Sequence, residues 1–214
     1  MFDVHPPNAS IHGWRDFFIH MATITIGLLI ALGLEGTVEW FHHRHVMHQA
    51  EKSMLAEIKA NAAGMQVRFK ELQTHQEELR QDIDFLNRVI ADPKMDHGSL
   101  SLKFDINGFD NVSWATAQST GAVAYMSYAE AREYSDIYSE QAEIDLQARQ
   151  AVRDMSVALG AVLDLKGQPS LDAQDARLLK QQIQTLQGQL FLVNSLVHSM
   201  DKSYQVFLSR HQRY

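Results

Sequence analysis

The stretch FFIHMATITIGLLIALGL, residues 17–34, decides how this chain is organised. It carries no formal charge, and His20 is its single titratable side chain. Val38, Trp40 and Phe41 extend the apolar run, so residues 17–41 exceed the roughly 20 residues that a helix needs to cross a bilayer. We therefore predict a transmembrane helix over 17–41, preceded by an N-terminal tail over 1–16.

The apolar run has the features of a retained anchor. Its core is longer than the roughly 7–15 residues of a signal peptide. Glu35 and Glu39 follow at the place where small residues would mark a cleavage site. The sequence therefore predicts an uncleaved, single-pass anchor.

Composition narrows the class of the remaining chain. The 214 residues have a formal net charge of −7, which argues against binding of nucleic acid because that needs a basic patch. The chain has no cysteine, so disulfides, thiolate metal sites and cysteine nucleophiles are excluded. The length beyond the anchor suits one domain of ordinary size.

Residues 42–92 are predicted to form a juxtamembrane and first bundle helix. Apolar residues recur there at alternating spacings of three and four, the repeat of a helix that packs along a seam. Asp92 and Pro93 end the pattern, because proline disfavours helical geometry in the residue before it. The predicted seam consists of Leu55, Ile58, Ala62, Met65, Phe69, Leu72, Gln76, Leu79, Ile83, Leu86 and Ile90.

Two further long helices are predicted within 127–214. Ser127 and Glu130 form a capping box for the second, and Ser170 is a natural N-cap for the third, with Asp172 near its positive end. The connection over 93–126 holds an extended segment near 100–106 and a short helix near 112–120. The fold class is thus all-α: a transmembrane helix followed by an elongated, antiparallel, coiled-coil-like three-helix bundle. The third helix has the seam Leu179, Ile183, Leu186, Leu190, Val193, Val197, Met200, Tyr204 and Phe207.

Two sequence motifs resemble a widespread group of uncharacterised bacterial single-span membrane proteins. The first is ITIGLLIALGLEGTVEW at 24–40, which matches an "IGxLIAL" anchor followed by acidic residues. The second is FDNVSWATAQSTGAVAYMSYAEAREYSDIYSEQ at 109–141, similar to a Trp…SSG segment that leads into a long helix. The resemblance implies location in a bacterial inner membrane and brings no assigned activity.

The side of the membrane on which the bundle lies stays open. Arg15 precedes the anchor, whereas Arg44, Lys52 and Lys59 follow it, which favours a cytoplasmic bundle. The resembling group carries its basic residues before the span, which favours a periplasmic bundle.

One side of the predicted anchor carries small and polar residues. Thr23, Gly27, Ala31 and Glu35 recur every four residues and therefore lie on one helix face. Small residues at this spacing let two membrane helices approach closely. We expect this face to contact a second copy of the chain or a membrane-protein partner; the alternative is that Glu35 simply lies at headgroup level.

A histidine cluster follows the anchor. Glu39 and His42 are three residues apart, as are His45 and His48, so each pair places two possible metal ligands on one helical turn. The alternative is a helix whose imidazoles lie among lipid headgroups and change charge near pH 6–7. We favour the second interpretation and predict no resident cofactor.

A third candidate site is a pocket lined by Trp114, Tyr125, Tyr128 and Tyr134, which would make the protein a sensory or ligand-binding module. The sequence contains no His-Glu-x-x-His, Gly-x-Ser-x-Gly or phosphate-binding loop motif. We therefore expect a scaffold or interaction protein without catalytic residues, with the lipid bilayer and a homo-oligomeric or membrane-protein partner as its surroundings.

Overall fold

The structure, a computed structural model, describes residues 13–93, 100, 107–165 and 171–211. These residues form five α-helices: α1 (Gly13–Ala63), α2 (Met65–Ala91), α3 (Val112–Ser119), α4 (Tyr128–Leu165) and α5 (Ala173–His211). A 3₁₀ turn, Ala122–Tyr125, lies between α3 and α4. The described ranges contain no strand, so the predicted all-α class is confirmed.

The chain divides into two compact units, Met1–Gln49 and Ala50–Tyr214. Helix α1 contributes to both. Residues 13–42 are exposed throughout, whereas Met54 and Ile58 in the later part of α1 are completely buried. The apolar residues of α1 thus belong to two different environments.

The predicted continuous helix over 42–92 is interrupted at Gly64. Helix α1 ends at Ala63 and α2 begins at Met65. Gly64 keeps right-handed backbone angles, φ −74° and ψ −10°. Helix α2 ends at Ala91, as the Asp92-Pro93 pair predicts. We call residues 63–65 the junction.

Helix α5 lies against both α2 and α4. Lys180 near the start of α5 donates to Asn87 near the end of α2 (Nζ–Oδ1 2.7 Å), while His198 stacks on Phe69 near the start of α2. All nine predicted seam residues of α5 are buried, which confirms that seam. They are Leu179, Ile183, Leu186, Leu190, Val193, Val197, Met200, Tyr204 and Phe207.

The seam of α1 and α2 is half right. Every second member of the predicted set is buried, namely Ile58, Met65, Leu72, Leu79 and Leu86. The other members are half-buried, Gln76 among them. A second row, one residue earlier, recurs every seven residues: Met54, Asn61, Asp82 and Val89 are buried in it, whereas Arg68 and His75 are half-buried.

Helix starts follow the predicted chemistry with one correction. The Ser127 hydroxyl accepts from the Glu130 amide (3.2 Å), which confirms the cap of α4. Helix α5 begins at Ala173, and the Asp172 carboxylate accepts from the amides of Gln174 and Asp175 (2.7 and 2.8 Å). Asp172 is therefore the N-cap in place of the predicted Ser170. Ser170 and residues 101–106 of the predicted extended segment lie outside the described ranges. The short helix α3 is followed by a left-handed glycine (φ +73°) at 121.

Candidate functional site

Helix α1 carries a long exposed apolar surface. From Trp14 to Phe41, every large apolar side chain of this helix is about half exposed or more. Among the described residues, α1 is the single helix long and apolar enough to cross a membrane. Its threonine hydroxyls are already hydrogen-bonded to the helix backbone: Thr23 donates to Ile19 (2.9 Å) and Thr37 to Gly33 (2.7 Å). These polar groups therefore need no water as a partner.

The predicted contact face of the anchor lies within this exposed stretch. Thr23, Gly27, Ala31 and Glu35 are all exposed and follow one side of α1. A Cβ atom added at Gly27 would meet nothing within 4 Å, and the same holds at Gly36. Neither glycine is therefore required by packing within the described part of this chain.

The histidine cluster lies on the continuous α1 helix. Glu39 approaches His43 (Oε1–Nε2 3.7 Å), one residue beyond the predicted partner His42. His42, His45 and His48 are exposed. Across the residues that the structure describes, no three histidine, aspartate or glutamate side chains come close enough to hold a metal ion.

The structure does not bring the four predicted pocket aromatics into one cavity. Tyr128 is 85% exposed, whereas Tyr134 is buried with its ring edge-on to Phe207 at 5.3 Å. Trp114 stacks on the ring of Tyr138, with 5.2 Å between centroids and 10° between planes. Tyr125 follows α3 in the 3₁₀ turn and is partly exposed.

A site that was not predicted lies beside the junction, where residues 107–113 dock on the helices. We call these residues the docked segment. Arg68 of α2 donates to the carbonyls of Asn107 and Gly108 (2.6 Å to the latter), and its guanidinium carbon lies 4.1 Å from the centre of the Phe109 ring. Asn61 of α1 forms two bonds with one residue, donating to the Asp110 carbonyl (2.8 Å) and accepting from its amide (3.1 Å).

Helix α4 holds the same segment from the other side. The Phe109 amide donates to the Asp145 carboxylate (3.3 Å). Burial raises the pKa of Asp145, while this hydrogen bond and the charges of Arg149 and Arg68 act in the opposite direction. A Cβ added at Gly108 would lie 3.4 Å from Asp145 Oδ1, an ordinary van der Waals contact with the end of that side chain.

The end of the docked segment is fixed by Glu57 of α1. One carboxylate oxygen accepts from the Ser113 amide (2.9 Å) in the first turn of α3, and the other accepts from the Tyr138 hydroxyl (2.7 Å). Burial and the contact with Glu57 raise the pKa of Tyr138, which keeps this hydroxyl protonated and able to donate. Glu57 thus links three helices through one side chain.

The signal for this site was present in the sequence. Asn61, Arg68, His75 and Asp82 recur every seven residues, and we call them the polar column. Polar residues that recur every seven positions beside an apolar seam indicate hydrogen-bonding positions at the helix interface. The prediction followed apolar residues only and therefore assigned the seam to the residues one position later. The partners of Asn61 and Arg68 are main-chain atoms, which no pattern of side chains identifies.

Among the described residues, cavities border these helices at the docked segment and between α4 and α5. The first lies under the docked segment and has a volume of about 20 Å³, enough for one water molecule. Its polar lining includes Arg68, His75 and Asp145. The second is an open groove of about 340 Å³ between α4 and α5, bordered by Glu133, Glu140, Lys202 and Arg210 around an apolar floor. None of the predicted pocket aromatics lines either cavity.

Comparison of the chain with protein-family models, with curated proteins and with solved structures found no match.

Proposed function

We propose that this protein is a single-span, membrane-anchored helical scaffold that acts through protein contacts and has no catalytic activity. The observation that carries the proposal is the exposure of residues 13–42 of α1. Apolar surface exposed to water costs about 25 cal/mol per Å², and the hydrocarbon of a bilayer removes that cost. The internally bonded threonine hydroxyls suit the same environment.

We infer that α2, α4 and α5 form an elongated antiparallel three-helix bundle beyond the anchor. The continuous buried seam of α5 and its contacts with both neighbours support this arrangement. The water-sized cavity under the docked segment favours recognition by surfaces over binding of a small molecule at that place.

We infer further that the anchor assembles with a second copy or with another membrane helix, through Thr23, Gly27, Ala31 and Glu35. Small side chains permit close approach of helices in lipid, and Glu35 on this face avoids the lipid tails. The resemblance of the anchor motif to bacterial single-span proteins supports an inner-membrane location.

The first experiment tests membrane location and orientation. Cell membranes carrying the full chain are washed with alkaline carbonate, and we expect the protein to stay in the pellet and to leave it with detergent. A reporter fused to the C-terminus assigns the side of the bundle. Release of the chain by carbonate alone would overturn the anchor.

The second experiment tests assembly with a matched pair of variants. Gly27→Leu places a bulky side chain on the proposed face, whereas Gly36→Leu places it on the opposite side of α1. A Cβ at either position meets open space, so both variants keep the fold. We expect the molar mass in detergent, measured by light scattering, to fall with Gly27→Leu and to stay unchanged with Gly36→Leu. An equal effect of the two would reject this face.

A further inference from the structure

The junction between α1 and α2 is a weak point in an otherwise continuous helix. Gly64 donates to the Ala60 carbonyl (3.1 Å) and accepts from the Arg68 amide (3.2 Å), so helical bonds continue on both sides of it. Glycine has more backbone freedom than any other residue and lowers helix stability relative to alanine. Bends in helices concentrate at such positions.

One side chain on each side of the junction binds the docked segment. Asn61 lies three residues before Gly64, and Arg68 lies four residues after it. Asn61 holds both main-chain polar groups of Asp110, while Arg68 holds the carbonyls of Asn107 and Gly108. The docked segment therefore connects the two sides of the junction.

The docked segment is attached mainly by polar contacts. Of its seven residues Phe109 is buried, packed edge-on to Tyr204 at 6.2 Å, and Ser113 is half-buried, while the others are exposed. The buried row Met65, Leu72, Leu79 and Leu86 of α2 and the seam of α5, in contrast, are continuous and apolar. Segments held by few apolar contacts open at lower free energy than the core, so the docked segment can leave while the long helices stay folded.

From these contacts we infer that the docked segment is a clamp: when it is docked, residues 50–63 of α1 and helix α2 are held in one relative orientation at Gly64, and when it leaves, the junction bends. The device depends on Asn61 and Arg68 together, since each fixes one side of the junction to a common third element. It is independent of whether the anchor assembles with a partner.

Hydrogen exchange of the full chain in detergent micelles tests the clamp. Asn61→Ala and Arg68→Gln each remove one grip, and we expect exchange at amides 64–68 to rise about tenfold in each. Arg68→Lys, which keeps the charge but loses the two-pronged donor, gives a smaller rise and a variant that folds if the others do not. Arg80→Gln is the matched control, because Arg80 is an exposed arginine of α2 that pairs with Glu77.

A second-site variant separates a clamp from general loosening. The backbone angles of Gly64 suit alanine, and the nearest atom to an added Cβ is the Asn61 carbonyl oxygen at 3.4 Å. In the Arg68→Gln background we expect Gly64→Ala to restore protection at amides 64–68 but not at amides 109 and 110. Trp114, made the single tryptophan by Trp14→Phe and Trp40→Phe, reports undocking through its stack on Tyr138.

Two outcomes would overturn the inference. One is unchanged exchange at amides 64–68 when Trp114 emission and amides 109 and 110 show that the segment has left. The other is an equal rise at the α5 seam amides 190 and 193, which would make the docked segment an ordinary part of one cooperative core.

Discussion

Gln141 is a buried polar side chain in the seam between α4 and α5. It is 1% exposed, its Nε2 donates to the Tyr204 hydroxyl (2.9 Å), and its Oε1 has no hydrogen-bond partner among the described residues. Tyr204 is equally buried, and burial raises the pKa of its hydroxyl, so the group stays neutral. A buried pair of this kind binds two helices in one alignment and leaves one acceptor unsatisfied.

We expect the pair to show strong coupling in a double-mutant cycle. Gln141→Leu leaves the Tyr204 hydroxyl without this partner, and Tyr204→Phe leaves the Gln141 amide without its own, so each should lower the free energy of unfolding by about 1–3 kcal/mol. The double variant removes both polar groups and should cost less than the sum of the two. Denaturant unfolding measures all three, and additive losses would show that the two side chains act independently.

Asp145 predicts a pH dependence whose sign follows from its environment. Burial raises its pKa above the usual 3.8, so the folded state favours the neutral form. The stabilisation from this group is complete below pH 3.8 and is lost as the pH rises through the raised value. At neutral pH the charged Asp145 carboxylate therefore destabilises the folded state.

Asp145→Asn should accordingly raise the thermal midpoint at pH 7, because its amide oxygen still accepts from Phe109 without carrying a buried charge. The gain should shrink as the pH approaches 4. Parallel melts at pH 7 and pH 4.5 give the comparison. A lower midpoint at both values would mean that attraction to Arg68 and Arg149 outweighs burial.

At the scale of the helix, the start of α5 depends on one carboxylate. Asp172 accepts from the amides of Gln174 and Asp175, two of the four that a helix start leaves free. Asp172→Ala should lower the free energy of unfolding by about 0.5–2 kcal/mol, and Asp172→Asn should lose less. Circular dichroism melts measure both. An alanine variant as stable as the parent would show that the first turn of α5 adds nothing to the cooperative fold.

The helices differ in how well the sequence predicts their buried face. Every predicted seam residue of α5 is buried, because α5 contacts two neighbours with a single uninterrupted apolar row. In α1 and α2 one buried row is apolar, whereas the other includes the polar residues Asn61 and Asp82, so an apolar pattern finds Leu72 and Leu79 but misses Asn61. The docking of residues 107–113 was not predicted because Asn61 and Arg68 bind main-chain groups, and every residue carries such groups.

For the whole molecule, the exposed apolar stretch of α1 predicts dependence on a bilayer. Arginine near the centre of a membrane helix costs at least about 2.5–3.5 kcal/mol. Ile26→Arg combined with Leu29→Arg should therefore move the protein out of the carbonate-resistant membrane fraction. Phe191→Arg, at a 69% exposed apolar position of α5, is the control and should remain in it. Retention of the double variant in the membrane fraction would argue for a peripheral attachment.

The histidines after the exposed apolar stretch of α1 are not expected to hold a metal ion. Glu39 approaches His43, while His42, His45 and His48 are exposed around the helix. We expect metal analysis of the purified protein, after dialysis against a weak chelator, to find less than stoichiometric zinc. A stoichiometric ion lost on replacing His42 and His45 by alanine would instead establish a metal-binding module.

The polar column has a consequence for how the helices find their alignment. A row of leucines every seven residues looks the same after a slide of one heptad, about 10 Å along the axis. Asn61 and Arg68 instead bind main-chain groups of residues 107–110, so both would lose these partners after such a slide. These two members of the polar column therefore favour one helix register among several that the apolar rows alone would accept equally.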